Sequence, residues 1–315
     1  MTSLQRMLSP QQVAAFTAIA ECGSLRKAVE RTGLSQPALT RLVQGMEDNI
    51  GTPLLQRSKS GVRLTDAGLR LLQYAKVSQR LEAAFLHELS GGAGRLRGHV
   101  RVCGFSSVMR SAVMPVLSAL QRDEPGLSVE FRIEELYLIA TRATRADADI
   151  AILQNPILQA GFHSIQIGEE HNLLVCADGE SADNGVYIDH EPSDRFTEHY
   201  LTATGTPTPA GVRRMYFNDI YGLIDGVRWG VGRAVVPVHL LERGGGVRQV
   251  PGTIAVRTPV YLSIASHLLE LGFYRRLVDL ITLRVPALLA RNEIGAVLHD
   301  GINATFVGPP HEPDP

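Results

Sequence analysis

The sequence predicts an α/β protein headed by a small all-α winged helix-turn-helix domain, and three observations carry that expectation. Between Gly23 and Gly51 two helical patterns are separated by a short break, and the second opens on Ser35. Directly after them, Pro53 to Thr65 reads as two short extended pieces about a basic turn containing Gly61. From Gly98 the apolar period changes, and strand, helix and strand follow one another as in a parallel sheet covered by helices.

Taken in order, Pro10 to Glu21 places Val13, Phe16, Thr17 and Ala20 on one face, a first helix that completes a three-helix core. In the next helix Leu25, Ala28 and Val29 fall at i, i+3 and i+4, and Gly33 supplies the tight bend behind it. In the third, Leu39, Leu42, Val43, Met46 and Ile50 share an apolar face, which leaves Gln36, Pro37, Thr40, Arg41 and Gln44 on the other. Ser35 is placed to cap this helix, and Pro37 sits in a first turn where its missing N–H costs nothing. A small, polar, singly basic face suits the base edges and phosphates of a major groove. An ordinary αα-hairpin accounts for the helix pair, but not for the helix before it or the wing after it. In that wing Arg57, Ser58 and Lys59 are expected on the DNA backbone.

With these residues the chain resembles the LysR-type transcriptional regulators. The resemblance rests on Phe16, Gly23-Ser24 with Ala28, Ser35-Gln36-Pro37-Ala38-Leu39-Thr40, Glu47, Gly51-Thr52-Pro53-Leu54-Leu55, Arg57, Leu64-Thr65 and Ala67-Gly68, and it extends over nearly the whole chain. Leu55 stands where that family usually has Phe, Gly45 interrupts the recognition helix, and Gln44 stands where a base is frequent. The resemblance implies a double-stranded DNA operator, a small-molecule effector (a carboxylate, an aromatic or a sugar), RNA polymerase and further copies of the chain as partners. It implies no cofactor.

Charge divides along the same line. Residues 1–97 carry 13 Lys and Arg against 7 Asp and Glu, whereas residues 98–315 carry 18 against 25, so the basic end is the DNA end. No apolar run approaches the roughly 18 residues of a membrane span, and the amino terminus has no signal-peptide pattern, so a cytoplasmic protein without a membrane partner is expected. The three cysteines, Cys22, Cys103 and Cys176, are far apart and odd in number. They do not make a disulfide framework, and Cys103 and Cys176 fall in apolar strand patterns that suit buried, inert thiols.

Thr65 to Leu89 is one long helical pattern, and Leu71, Tyr74, Ser78, Leu81 and Phe85 form a partly apolar stripe along it that calls for a partner helix. In the resemblance this is the linker helix that pairs two heads, and residues 91–97 after it form a hinge. Farther on, strands are expected at His99 to Phe105, Ser128 to Ile133, Asp149 to Leu153, Asn172 to Cys176, Val186 to Asp189, Val212 to Phe217, Val231 to Val236 and Val260 to Ser266. Helices are expected at Val108 to Gln121, Leu138 to Arg145, Asp219 to Trp229 and Leu269 to Leu283. The resemblance makes residues 98–285 a two-lobed α/β effector domain of the periplasmic-binding-protein type. One lobe takes about 98–160 and 250–285 and the other about 161–249, with the chain crossing near Ile157 to Gln166 and returning near Val247 to Thr258. Residues 286–315 read as a tail in which Ala287 to Leu298 has helical character.

At Gly104-Phe105-Ser106-Ser107 a strand gives way to a helix, so Ser106, Ser107 and free N–H groups face the carboxyl edge of the sheet as an anion or carboxylate seat. Helix capping alone would account for one serine. Phe217-Asn218-Asp219 repeats the arrangement on the other lobe, with capping the simpler role for one of its polar residues, and Glu135, beside Glu134, follows the second strand at the same edge. The Gly230-Val231-Gly232 turn is followed by a strand, not a helix, which reads as structural and not as a dinucleotide site. No phosphate loop, no G-x-S-x-G and no H-E-x-x-H is present, and the ten histidines lack ligand spacing; His163, His171 and His239 read as surface or satisfied core residues. A regulator switched by a bound effector is the reading these features favour. The alternative is a two-lobed solute-binding protein or enzyme of the same fold.

Overall fold

The computed structural model describes residues 8–58, 61–89, 96–179, 184–207 and 211–296. The chain divides into two compact units, Met1–Leu86 and His87–Pro315.

In the first unit α1 (Pro10–Cys22), α2 (Leu25–Thr32) and α3 (Gln36–Ile50) are the three expected helices. Ser9 and Gln12 cap α1 reciprocally, each side chain meeting the other's backbone N–H at 3.2 Å. Gly33 ends α2 at φ 69°, a left-handed conformation that residues with a Cβ adopt only at a cost. Phe16, Ile19, Ala28, Leu39 and Met46 are fully buried between the helices, and truncating one of the larger ones to Ala costs about 2–5 kcal/mol. Gly45 does not interrupt α3, which runs through it to Ile50. Ile50 itself is 42% exposed: it occupies the last helical position, one turn beyond Met46, where α3 has left the core.

The wing is an antiparallel pair, β1 (Leu55–Ser58) and β2 (Gly61–Leu64), in register with Leu55 opposite Leu64. It leads into α4 (Asp66–Leu89). The junction is tied by Thr65, whose hydroxyl donates to the Pro53 carbonyl at 2.8 Å and accepts the Gly68 N–H at 3.0 Å. Gly68 lies so close to the Leu54 carbonyl that a Cβ would stand 2.1 Å from its oxygen, so only glycine fits. Leu71 belongs to the core of this unit at 8% exposure and is not part of the free stripe. Its helical position faces the same side as Ala75, which is also buried. Tyr74 and Phe85 are exposed, and the Leu81 side chain lies outside the described residues. Of the expected hinge at 91–97, only residues 96 and 97 are described.

In the second unit β3 (Gly98–Gly104) lies between β4 (Leu127–Ile133) and β5 (Ile150–Leu153), all parallel. The first connection is α5 (Ser106–Val108), a π turn at Met109–Val113 and α6 (Met114–Asp123); the second is α7 (Leu136–Thr144). The crossing expected near Ile157 to Gln166 is made by a strand whose start falls inside it, β6 (Phe162–Ala177), which runs without a break into the expected Asn172 to Cys176 strand. Next come β7 (Val186–Asp189), α8 (Phe196–Thr204), β8 (Arg213–Tyr216), α9 (Ile220–Arg228), β9 (Ala234–Pro237) and β10 (Val247–Gln249). Then β11 (Val256–Ala265), α10 (Ser266–Leu269) and α11 (Gly272–Leu289) close the fold.

Strand order is β10-β6-β11-β5-β3-β4, with β9 also on β6. β11 is antiparallel to both β5 and β6, so the sheet is mixed where a parallel one was expected. The two long strands β6 and β11 pair from Phe162 opposite Ala265 to Asn172 opposite Val256 and serve both lobes. Along β6, Val175 faces the core under α9 while Leu174 and Cys176 face the one under α8, the period-two alternation of a strand covered on both sides. The boundary expected at 285 does not hold. α11 continues through Pro286, Leu289 is buried in the first lobe's core, and 290–296 is a turn held by Asn292 and Ala296 rather than a helix.

Candidate functional site

The face of α3 is built as its residue types require. Ser35 Oγ accepts the Ala38 N–H at 3.4 Å and starts the helix, so Gln36, Pro37, Arg41 and Gln44 follow on an exposed surface. Thr40 is half-buried at the edge of that face, lining a depression with Leu25, Val43 and Leu55. Glu47 turns inward, where Oε1 accepts the N–H groups of Leu54 at 2.7 Å and Leu55 at 3.1 Å and so fastens the wing to the recognition helix. Arg63, exposed on β2, adds a cation to the wing that the sequence reading passed over. Arg57 and Ser58 lie on β1, their side chains outside the described residues, as is all of Lys59.

In the second unit the expected anion seat is differently arranged. The helical run begins at Ser106 without a side-chain cap. Ser107 is buried, neither open to the cleft nor a cap: its hydroxyl donates to Glu170 Oε1 on β6 at 2.6 Å. The same oxygen meets His239 Nε2, on the 3-10 turn Val238–Leu240, at 3.0 Å. Serine and imidazole both address the carboxylate instead of each other, which is not the geometry of an activated nucleophile. Ser106 is half-buried beside it. Near by, the Arg110 guanidinium stacks 3.7 Å from the centre of the Tyr221 ring, joining the π turn of one lobe to α9 of the other. Burial pushes the Tyr221 hydroxyl pKa up, with Arg110 opposing and Asp219 and Glu170 assisting.

Of the remaining expected contacts, Asp219 is the cap of α9, accepting the Gly222 N–H at 3.1 Å, and Asn218 is exposed next to it. Glu135 is exposed ahead of α7, while Glu134 pairs with Arg142 at 3.0 Å. Glu170, His239, Arg110 and Tyr221 were not singled out from sequence as parts of a cleft. Cys103 is buried, and burial pushes its thiol up to about 12, with Glu134 adding to the effect. No helix among the described residues is long and apolar enough to cross a membrane.

A winged helix-turn-helix head followed by a long helix and a two-lobed α/β domain defines the class of effector-binding transcriptional regulators. Residues 10–69 match the bacterial regulatory helix-turn-helix protein model of the lysR family, and residues 93–282 match the LysR substrate binding domain. The chain belongs to the LysR family. It is 30% identical over 145 residues to a probable HTH-type transcriptional regulator, LrrA, of Synechococcus elongatus, an alignment spanning 46% of this chain and 49% of that protein. Its fold is similar to that of ArgP from Mycobacterium tuberculosis, with TM-score 0.71 and 21% identity over 92% of this chain and all of that one. It is also similar to full-length LysG from Corynebacterium glutamicum with bound effector Arg, with TM-score 0.67 and 20% identity over 88% of this chain and 98% of that one.

Proposed function

We propose that this protein reads a dyad-symmetric operator through α3 and its wing and is switched by a small molecule held between its two lobes. The observation that carries the reading is the exposed set Gln36, Pro37, Arg41 and Gln44 on a helix capped by Ser35, with Glu47 fixing the wing alongside. In this reading Arg41, Gln36, Gln44 and Thr40 address bases, and Arg57, Ser58, Lys59 and Arg63 follow the phosphates. Tyr74, Leu81 and Phe85 pair α4 with a second copy, and two such dimers form a tetramer that works in the cytoplasm and contacts RNA polymerase. Nothing in this role calls on enzymatic chemistry.

Ser106, Asn218, Asp219 and Glu135 border the effector, while Ser107 stays bound to Glu170. A ligand touching both lobes favours their closed arrangement, and that difference in affinity drives the switch. That LysG, similar in fold, is described with a bound effector Arg supports a small-molecule ligand for this chain. Retention of the full-length protein on immobilised random DNA, released as salt rises, tests the DNA-binding half. Passage through the column at low salt would refute it.

A further inference from the structure

The contact between Arg110 and Tyr221 leaves unspent donors on both lobes. At 3.7 Å from the ring centre the planar guanidinium packs its face on the ring, and the stack does not consume its N–H edges. Arg110 is exposed, and among the described residues it donates no hydrogen bond and forms no ion pair. The Tyr221 hydroxyl makes no hydrogen bond there either. The same holds for the hydroxyl of Ser106, one turn before Arg110 on the open side of a run that buries Ser107 and Met109, and for the amide of exposed Asn218 ahead of α9. α5 lies against α9, so these donors come from two segments in contact. The acids beside them are engaged: Asp219 accepts the Gly222 N–H, and Glu170 is buried with Ser107 and His239. Arg110 also stands in the π turn Met109–Val113, a conformation that is rare in general and frequent at functional sites.

We propose that Arg110, held flat on Tyr221, is the anchor for a carboxylate group of the effector, with Ser106 and Asn218 completing the donor set. The proposal rests on reading the cleft as the effector site. A guanidinium fork meets the two oxygens of a carboxylate in one plane, and each charge-assisted bond is about twice as strong as a neutral one. Stacking on Tyr221 fixes the long side chain before the ligand arrives, so less freedom is lost on binding. One cation balances one carboxylate, whereas a dianion would be left facing Asp219 and Glu170 with its second charge unmatched. Because the stack spans both lobes, a carboxylate on Arg110 is also delivered to the lobe that carries Asn218.

The test is thermal-shift titration of the full-length protein with sodium acetate against sodium chloride at equal ionic strength, with acetamide as the neutral analogue. Wild type should show a saturable rise in Tm with acetate that neither chloride nor acetamide gives. Arg110→Gln removes the charge from an exposed position and should abolish the saturable part, while any general salt effect of acetate is common to both proteins and cancels. Arg110→Lys keeps the charge but loses the planar fork, and it should weaken acetate about tenfold. Tyr221→Leu leaves Arg110 without its support and should weaken acetate about threefold; wild-type affinity there would strike the ring from the proposal. No saturable response in wild type, or an equal response in Arg110→Gln, would overturn the proposal. The first result leaves the cleft to uncharged or cationic ligands. A response that survives Arg110→Gln but is lost in Ser106→Leu overturns the anchor and keeps a ligand between the lobes, whereas one indifferent to both variants overturns the two readings together.

Discussion

Glu47 accepts the backbone N–H of Leu54 at 2.7 Å, across the break between the recognition helix and the wing. With the Leu55 N–H at 3.1 Å on the same oxygen, one carboxylate satisfies the two amides that begin the wing. Glu47→Ala leaves both without an acceptor in a half-buried position and should lower stability by about 1–3 kcal/mol in urea unfolding. Glu47→Gln keeps an accepting oxygen and should recover most of that loss. Equal losses in the two variants would mean that the charge matters and not the acceptor.

Replacing Arg41 with Ala should cost about 1–3 kcal/mol of operator binding and relax specificity at one base position, because Arg41 stands exposed on α3. Lys59→Ala should instead weaken all sequences alike and reduce the slope of log affinity against log salt by about 1. Competition binding over a salt series separates the two, and unchanged binding in both variants would contradict the proposed face.

Leu71 and its neighbours on α4 should separate by function. Leu71→Ala removes a core side chain and should cost about 2–5 kcal/mol of stability. Tyr74→Ala with Phe85→Ala, both exposed, should dissociate the dimer in sedimentation while changing the unfolding of the head by less than about 0.5 kcal/mol. A dimer unaffected by the double variant would remove α4 from the interface.

The Cys103 thiol should be silent toward an aromatic disulfide reagent at pH 8. Its burial favours the neutral thiol and raises its pKa to about 12, so at pH 8 only about one molecule in ten thousand carries the thiolate. Reactivity should appear only when the protein is unfolded in denaturant. Rapid labelling of Cys103 in the folded protein would contradict the burial.

The head was legible because its signals are local. Ser35, Pro37, Gly33 and the i, i+3, i+4 spacing of Leu39, Leu42, Val43 and Met46 act within one or two turns of helix, and the helices form where those residues stand. The amino-terminal half of β6 escaped notice because Phe162 to His171 is mostly half-buried and mixes polar with apolar residues, so neither a strand run nor a helix face emerges. α8 was hidden for a related reason: it opens at Arg195 with no side-chain cap, and Thr197, Thr202 and Thr204 lower its helical signal, while burial of Tyr200 and Leu201 decides the matter. The cluster at Glu170 had no sequence signature at all. Ser107, Glu170 and His239 are 63 and 69 residues apart in their pairings, and only the long shared strands bring them together. Ser107 was identified as a site residue, but its partner was expected to be a ligand and is a side chain of the same protein.

The central claim is that α3 and the wing read a specific, symmetric DNA sequence, and in vitro selection from a random duplex library with the full-length protein tests it most directly. Enrichment of a dyad-symmetric motif whose half-sites lie about one helical turn apart is expected, lost or degraded in one position of each half-site when Arg41→Ala is used in the selection. A library that stays random after repeated rounds, or a motif that is unsymmetric and indifferent to Arg41→Ala, would contradict it.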